Sequence, residues 1–89
     1  MKTRALLADI ALLNMDLGPL GGLSNEQAAN RAEDIGERGS SEIFGFMREQ
    51  LRGNIERLRN NPKSRVAQIK LSDTLHDIFW CLTPLEEDQ

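Results

Sequence analysis

The chain has 89 residues, a formal net charge of −3, 39% hydrophobic and 28% charged residues, and a single cysteine. That length allows one domain with a small core, and the balance of apolar and charged groups excludes a disordered, fibrous or membrane-spanning chain. One cysteine excludes a disulfide framework within the chain and any multi-cysteine metal site, and it fits a reducing, cytoplasmic setting.

Aromatic residues are few, 3 Phe and 1 Trp with no Tyr, so the core must be built from Leu, Ile and Ala, a mixture that favours helices. The opening run resembles a secretory leader only in having basic residues ahead of apolar ones. Asp9 interrupts it and Asp16 follows it. Residues 2–16 are expected to form an amphipathic helix with Leu6, Ile10, Leu13 and Leu17 on one stripe and Leu7, Ala11 and Met15 widening it. Its polar side carries Asp9, Asn14 and Asp16 rather than the Lys and Arg of a membrane-surface helix, so burial is expected and no membrane contact.

"GPLGGLS" breaks the helix. Ser24 and Gln27 then form the sequence pattern of a capping box, opening a second helix over residues 25–35 with Ala28, Ala32 and Ile35 on its apolar face. These small residues permit close approach of another helix. After "GERGSS", Ser40 or Ser41 is available to cap a third helix over 42–60, with Phe44, Met47, Leu51, Ile55 and Leu58 on its stripe and Ile43 beside it. "NNP" stops it, and Asn61 with Pro62 is also a way for a helix to begin. A fourth helix over 62–82 presents Val66, Ile69, Leu75, Ile78, Phe79 and Leu82, and Thr83 and Pro84 end it ahead of an acidic tail, 83–89. The short link between the last two helices requires an antiparallel hairpin, and the expected fold is all-α, a small four-helix bundle in a single domain.

Chemistry in "TLHDIFWCLTP" is limited to one His, one Trp and one Cys. The pair His76–Asp77 occurs in metal phosphohydrolases, but their metal shell needs further histidines and this chain has no second one. Asp73, His76 and Asp77 share a helix face and would make only a weak cation site. Cys81 lies about 140° around the helix from His76, unsuited to a nucleophile–base pair. The chain has neither a phosphate loop nor a serine elbow, so no catalytic residue, metal or cofactor is assigned and the chain is expected not to be an enzyme. Trp80 falls on the flank of the fourth helix beside His76. Packing over the N-terminal helix is its first expected role, a partner contact its second.

Charge is polarised along the chain. Residues 43–70 sum to +5, while residues 1–42 and 71–89 sum to −3 and −5. Arg57, Arg59, Lys63 and Arg65 crowd the hairpin tip, where they provide either a solvated face or an anion site at a helix N-terminus. A helix-turn-helix cadence at Ala32, Ile35 and Gly36 fails at Arg31, Ile43 and the bulky Phe44 and Phe46. Nucleic acid is therefore the lesser expectation, also because the pI is about 5.1. The preferred reading is a non-catalytic interaction protein that binds a protein partner through Phe46, Trp80 and His76 and self-associates as a homodimer. Inhibitor, antitoxin, adaptor and other regulator roles are compatible, by analogy with small bacterial and phage regulators.

Overall fold

The computed structural model describes residues 2–18 and 20–87, with side chains described for 3–18 and 20–83. These residues form four helices and no strand: α1 Lys2–Asp16, α2 Asn25–Arg38, α3 Gly45–Asn60 and α4 Arg65–Glu87. The architecture is a four-helix bundle of 40 × 26 × 17 Å. Pairings between helices show the direction of each. Asp16 meets Arg31 while Asp9 meets Arg38 across α1 and α2, and Asn14 meets Ser72 while Leu17 meets Arg65 across α1 and α4. Asn54 meets Thr74 across α3 and α4, a contact consistent with the expected antiparallel hairpin.

The core is aliphatic. Leu6, Ile10, Leu13 and Leu17 of α1 are buried as their spacing requires, and so are Met47, Leu51, Ile55 and Leu58 of α3. α2 contributes Ala28, Ala29, Ala32 and Ile35, and its short side chains bring α3 close. At Gly36 an added Cβ would lie 3.3 Å from Leu51 Cδ2. The second helix opens as its sequence dictates: Ser24 Oγ accepts from the Gln27 amide at 3.1 Å, and Gln27 Oε1 accepts from the Ser24 amide at 3.0 Å. Gly22, with φ +67°, supplies the left-handed step in the link before it.

Several elements depart from the expected bounds. α2 runs on to Arg38, and the Gly39 amide then donates to Ile35 O at 2.9 Å. α3 begins at Gly45 rather than residue 42, because residues 39–43 close a turn in which the Glu42 and Ile43 amides both return to Gly39 O. Neither Ser40 nor Ser41 caps it. The capping position is Phe44, which offers no side-chain acceptor. In that extended conformation Phe44 lies off the helical stripe and is exposed. α4 begins at Arg65, not Pro62: Asn61–Ser64 forms a turn and Ser64 Oγ caps the Ala67 amide at 3.2 Å. It also continues through Pro84 to Glu87, so residues expected in the tail are helical as far as Glu87; Asp88 and Gln89 lie outside the described residues. Pro84 forfeits one N–H of the ladder, a tolerable loss in the last turn of a 23-residue helix.

The inward side of α4 is the one that Leu75, Ile78 and Leu82 mark, and the first two turns depart from expectation. Ala67, Leu71, Leu75, Ile78 and Leu82 are buried, whereas Val66 and Ile69 point outward. Met15 of α1 is likewise exposed.

A polar knot holds one end of the bundle. The buried Asn25 donates through Nδ2 to Asn61 O at 2.7 Å and Ser64 O at 3.0 Å, and its Oδ1 accepts from Gln68 Nε2 at 2.7 Å. Gln68 also donates to Leu23 O, and Arg65 to Leu17 O at 3.1 Å. Four stretches of chain are thereby joined with their backbone carbonyls satisfied.

Candidate protein-interaction surface

Trp80 does not enter the core. It is 60% exposed on the outer side of α4, four residues after His76, so the two rings meet one helical turn apart. The Trp80 indole N–H donates to His76 Nε2 at 2.9 Å, with the rings edge to face and their centroids 6.1 Å apart. Phe79 contacts Trp80 edge-on at 6.0 Å and is half-buried against the core, so the exposed rings stand on a fixed base.

Between these rings and α1 lies a shallow groove of about 540 Å³, walled by Ala11 and Met15 on one side and Phe79 and Trp80 on the other. At its floor Ser72 Oγ–H donates to Asn14 Oδ1. Met15 extends the apolar surface onto α1, and the exposed Val66 and Ile69 lie along the same outer side of α4. The outer side of α3 is different in kind, carrying Arg48, Glu49, Arg52 and Glu56. Phe46 is exposed but lies apart from the tryptophan cluster: its ring partner is Phe44, stacked at 6.2 Å and 9°.

Two of the four basic residues at the hairpin tip are committed to the fold. Arg59 pairs with Glu33 at 3.1 Å and with Asn30, which fastens α3 to α2, and Arg65 reaches Leu17 O and Gln68 Oε1. The hydrogen bond from Arg59, and then its charge, hold the Glu33 carboxyl below the ordinary glutamate range. On the other side of α2, Arg38 bridges Asp9 at 2.6 Å and Asp34 at 2.9 Å, and its guanidinium is driven further toward the charged form, first by the Asp9 hydrogen bond. Arg57 donates to Asn54 Oδ1 at 3.1 Å with the rest of its guanidinium exposed, and Lys63 is exposed with no ion pair among the described residues. The N-terminus of α4 is already capped by Ser64.

Asp73, His76 and Asp77 are all exposed. Among the described residues no three His, Cys, Asp or Glu side chains gather in a way that could hold a metal ion. Nor is any helix of the described residues long and apolar enough to cross a membrane. α2 and α3 touch at two places along their length, Gly36 against Leu51 and Asn30 and Glu33 against Arg59.

No protein-family model, curated protein or solved structure matches this chain. The geometry of the surface thus stands alone as the guide to function.

Of the contact residues expected from the sequence, Trp80 and His76 lie together on the outer side of α4 and Phe46 lies elsewhere, while Met15, Val66 and Ile69, expected on apolar stripes, are exposed. The signal lay in α4 itself, where Ala67 and Leu71 complete an inward stripe with Leu75, Ile78 and Leu82 and leave Val66 and Ile69 as surplus.

Proposed function

We propose that this chain is a small non-catalytic helical interaction protein, a cytoplasmic regulator, inhibitor, antitoxin or adaptor, whose contact surface is the α1–α4 face around Trp80. The observation that carries this reading is the exposure of a tryptophan and its neighbour across the groove on two adjacent helices: Met15 at 73% and Trp80 at 60%. Single exposed apolar residues are ordinary, but a contiguous group with a rigid aromatic at its centre is what interfaces use as an anchor. A tryptophan already supported by Phe79 and His76 has little side-chain freedom left to lose on docking.

The test is a pair of surface variants, Trp80→Ala and Met15→Ser, compared with wild type in pull-downs and by circular dichroism. Loss of a protein partner with helicity unchanged supports the reading. Retention of every partner by both variants refutes it.

A second reading, anion or nucleic-acid binding at the hairpin tip, draws support from Arg57 and Lys63, whose charges remain available. It predicts binding that weakens steeply with salt and is lost on Lys63→Glu.

A further inference from the structure

The outer side of α4 carries a second periodic stripe. Val66, Ile69, Asp73, His76, Trp80 and Thr83 follow one another at spacings of 3, 4, 3, 4 and 3, the repeat of a seam between two long helices. It lies opposite the core stripe, and its apolar members Val66, Ile69 and Trp80 are all at least half exposed. Lys70 and Asp77 border it on one flank. Lys70, Asp73 and Asp77 are exposed and make no hydrogen bond or ion pair among the described residues.

Resting on the interaction reading above, we propose that the occupant of this seam is a second copy of the chain, its α4 running in the opposite direction about a two-fold axis beside Thr74 and Leu75. In that arrangement seam positions pair across the axis so that each residue meets a suitable partner. Ile69 packs against the partner's Trp80, Asp73 faces the partner's His76, and Val66 faces the partner's Thr83. A two-fold axis maps each flank of the seam onto itself, so Lys70 also falls beside the partner's Asp77. Every contact occurs twice. A parallel pairing is disfavoured by the same residues, since it sets Asp73 against the partner's Asp73 and leaves no opposite charges facing.

Self-complementarity argues for a second copy over an unrelated protein. The basic flank residue sits in the N-terminal half of the seam and the acidic one in the C-terminal half, the distribution that antiparallel association of identical helices requires. A stable interface buries ~800 Å² per partner, and Met15, across the groove from Trp80, extends the apolar surface of the seam toward α1.

The experiment is sedimentation equilibrium on the intact chain and on Lys70→Glu, Asp77→Lys, the double variant Lys70→Glu/Asp77→Lys, and an equimolar mixture of the two single variants. Both positions are exposed, and circular dichroism verifies that each variant is folded. Wild type is expected to be dimeric at about 100 µM, and each single reversal, which turns two attractive pairs repulsive, to weaken the dimer by about 10-fold or more. The double variant and the mixture both restore opposite charges at every flank pair and are expected to recover wild-type association. A monomeric wild type, or a dimer indifferent to the reversals, overturns the proposal. If wild type is monomeric while Trp80→Ala loses a different protein partner, the second copy is excluded and the interaction face stands. If Trp80→Ala changes neither self-association nor partner capture, both fall together.

Discussion

Replacing Trp80 and Leu75 by alanine in parallel separates an interface aromatic from a core residue on the same helix. Leu75 is fully buried, and a Leu→Ala change at such a site costs about 2–5 kcal/mol through lost transfer energy and the cavity left behind. In a domain of this size each kcal/mol moves Tm by roughly 4–8 °C, so Leu75→Ala is expected to lower it by roughly 10–40 °C. Trp80 is 60% exposed. Scaling the ~3–5 kcal/mol of a buried aromatic truncation to its buried fraction leaves about 1–2 kcal/mol, and the exposed bond to His76 adds little. Its expected loss is therefore roughly 5–15 °C, measured by thermal circular dichroism at a few micromolar, where association contributes least. Binding should show the reverse order: Trp80→Ala loses the partner, and Leu75→Ala retains it at temperatures where the chain is folded. Equal destabilisation by the two variants at low concentration would show that Trp80 is held by the fold, and would refute the surface assignment.

Three further outcomes follow from particular contacts. Thr74→Val removes the acceptor of the buried Asn54 Nδ2–H, bonded at 2.6 Å, and should cost about 1–3 kcal/mol by urea unfolding, whereas Asn54→Leu/Thr74→Val, which removes both polar groups, should recover part of that loss. Because Arg59 lowers the Glu33 pKa, the stability from that pair is complete above the ordinary glutamate value of about 4.3 and is lost as pH falls through Glu33's lower folded value. Urea midpoints taken between about pH 5 and pH 3 should accordingly fall less steeply in Glu33→Gln than in wild type, by an amount that shrinks in high salt. Gly36→Val places bulk where Leu51 already stands at 3.3 Å from an added Cβ, and should separate α2 from α3 with a loss of about 1–3 kcal/mol, against a small effect at the open Gly53.

Much of the bundle was legible because its signals are local. The stripe of α1 and the capping box at Ser24 depend on neighbours within four residues, and both are present as expected. α4 was misread for a definite reason. It carries apolar residues on two opposite sides, and Val66 and Ile69 belong to the outer one while Leu75, Ile78 and Leu82 belong to the inner one, which Ala67 and Leu71 complete. Phe44 was misplaced because an extended capping residue does not obey the angular spacing of the helix it precedes. At the tip, the cluster of basic residues was visible but its ion pairs were not, since Arg59–Glu33 and Arg65–Leu17 join positions that only the folded chain brings together. Trp80 was recognised as lying off its stripe, and its exposure required knowing where α1 ends and Met15 points.

The polar knot around Asn25 also has a bearing on the order of folding events. Its bonds connect residues as far apart as Leu17 and Arg65, or Leu23 and Gln68, so none can form while only one hairpin has been made. Closing so long a loop brings no reward until the start of α2 meets the α3–α4 turn. The side-chain amides of Asn25 and Gln68 thus become protected only when the start of α2 has docked on the α3–α4 turn, and the Arg65–Leu17 bond only when α1 has joined them, while the Trp80–His76 pair, one turn apart on a single helix, forms as soon as α4 does.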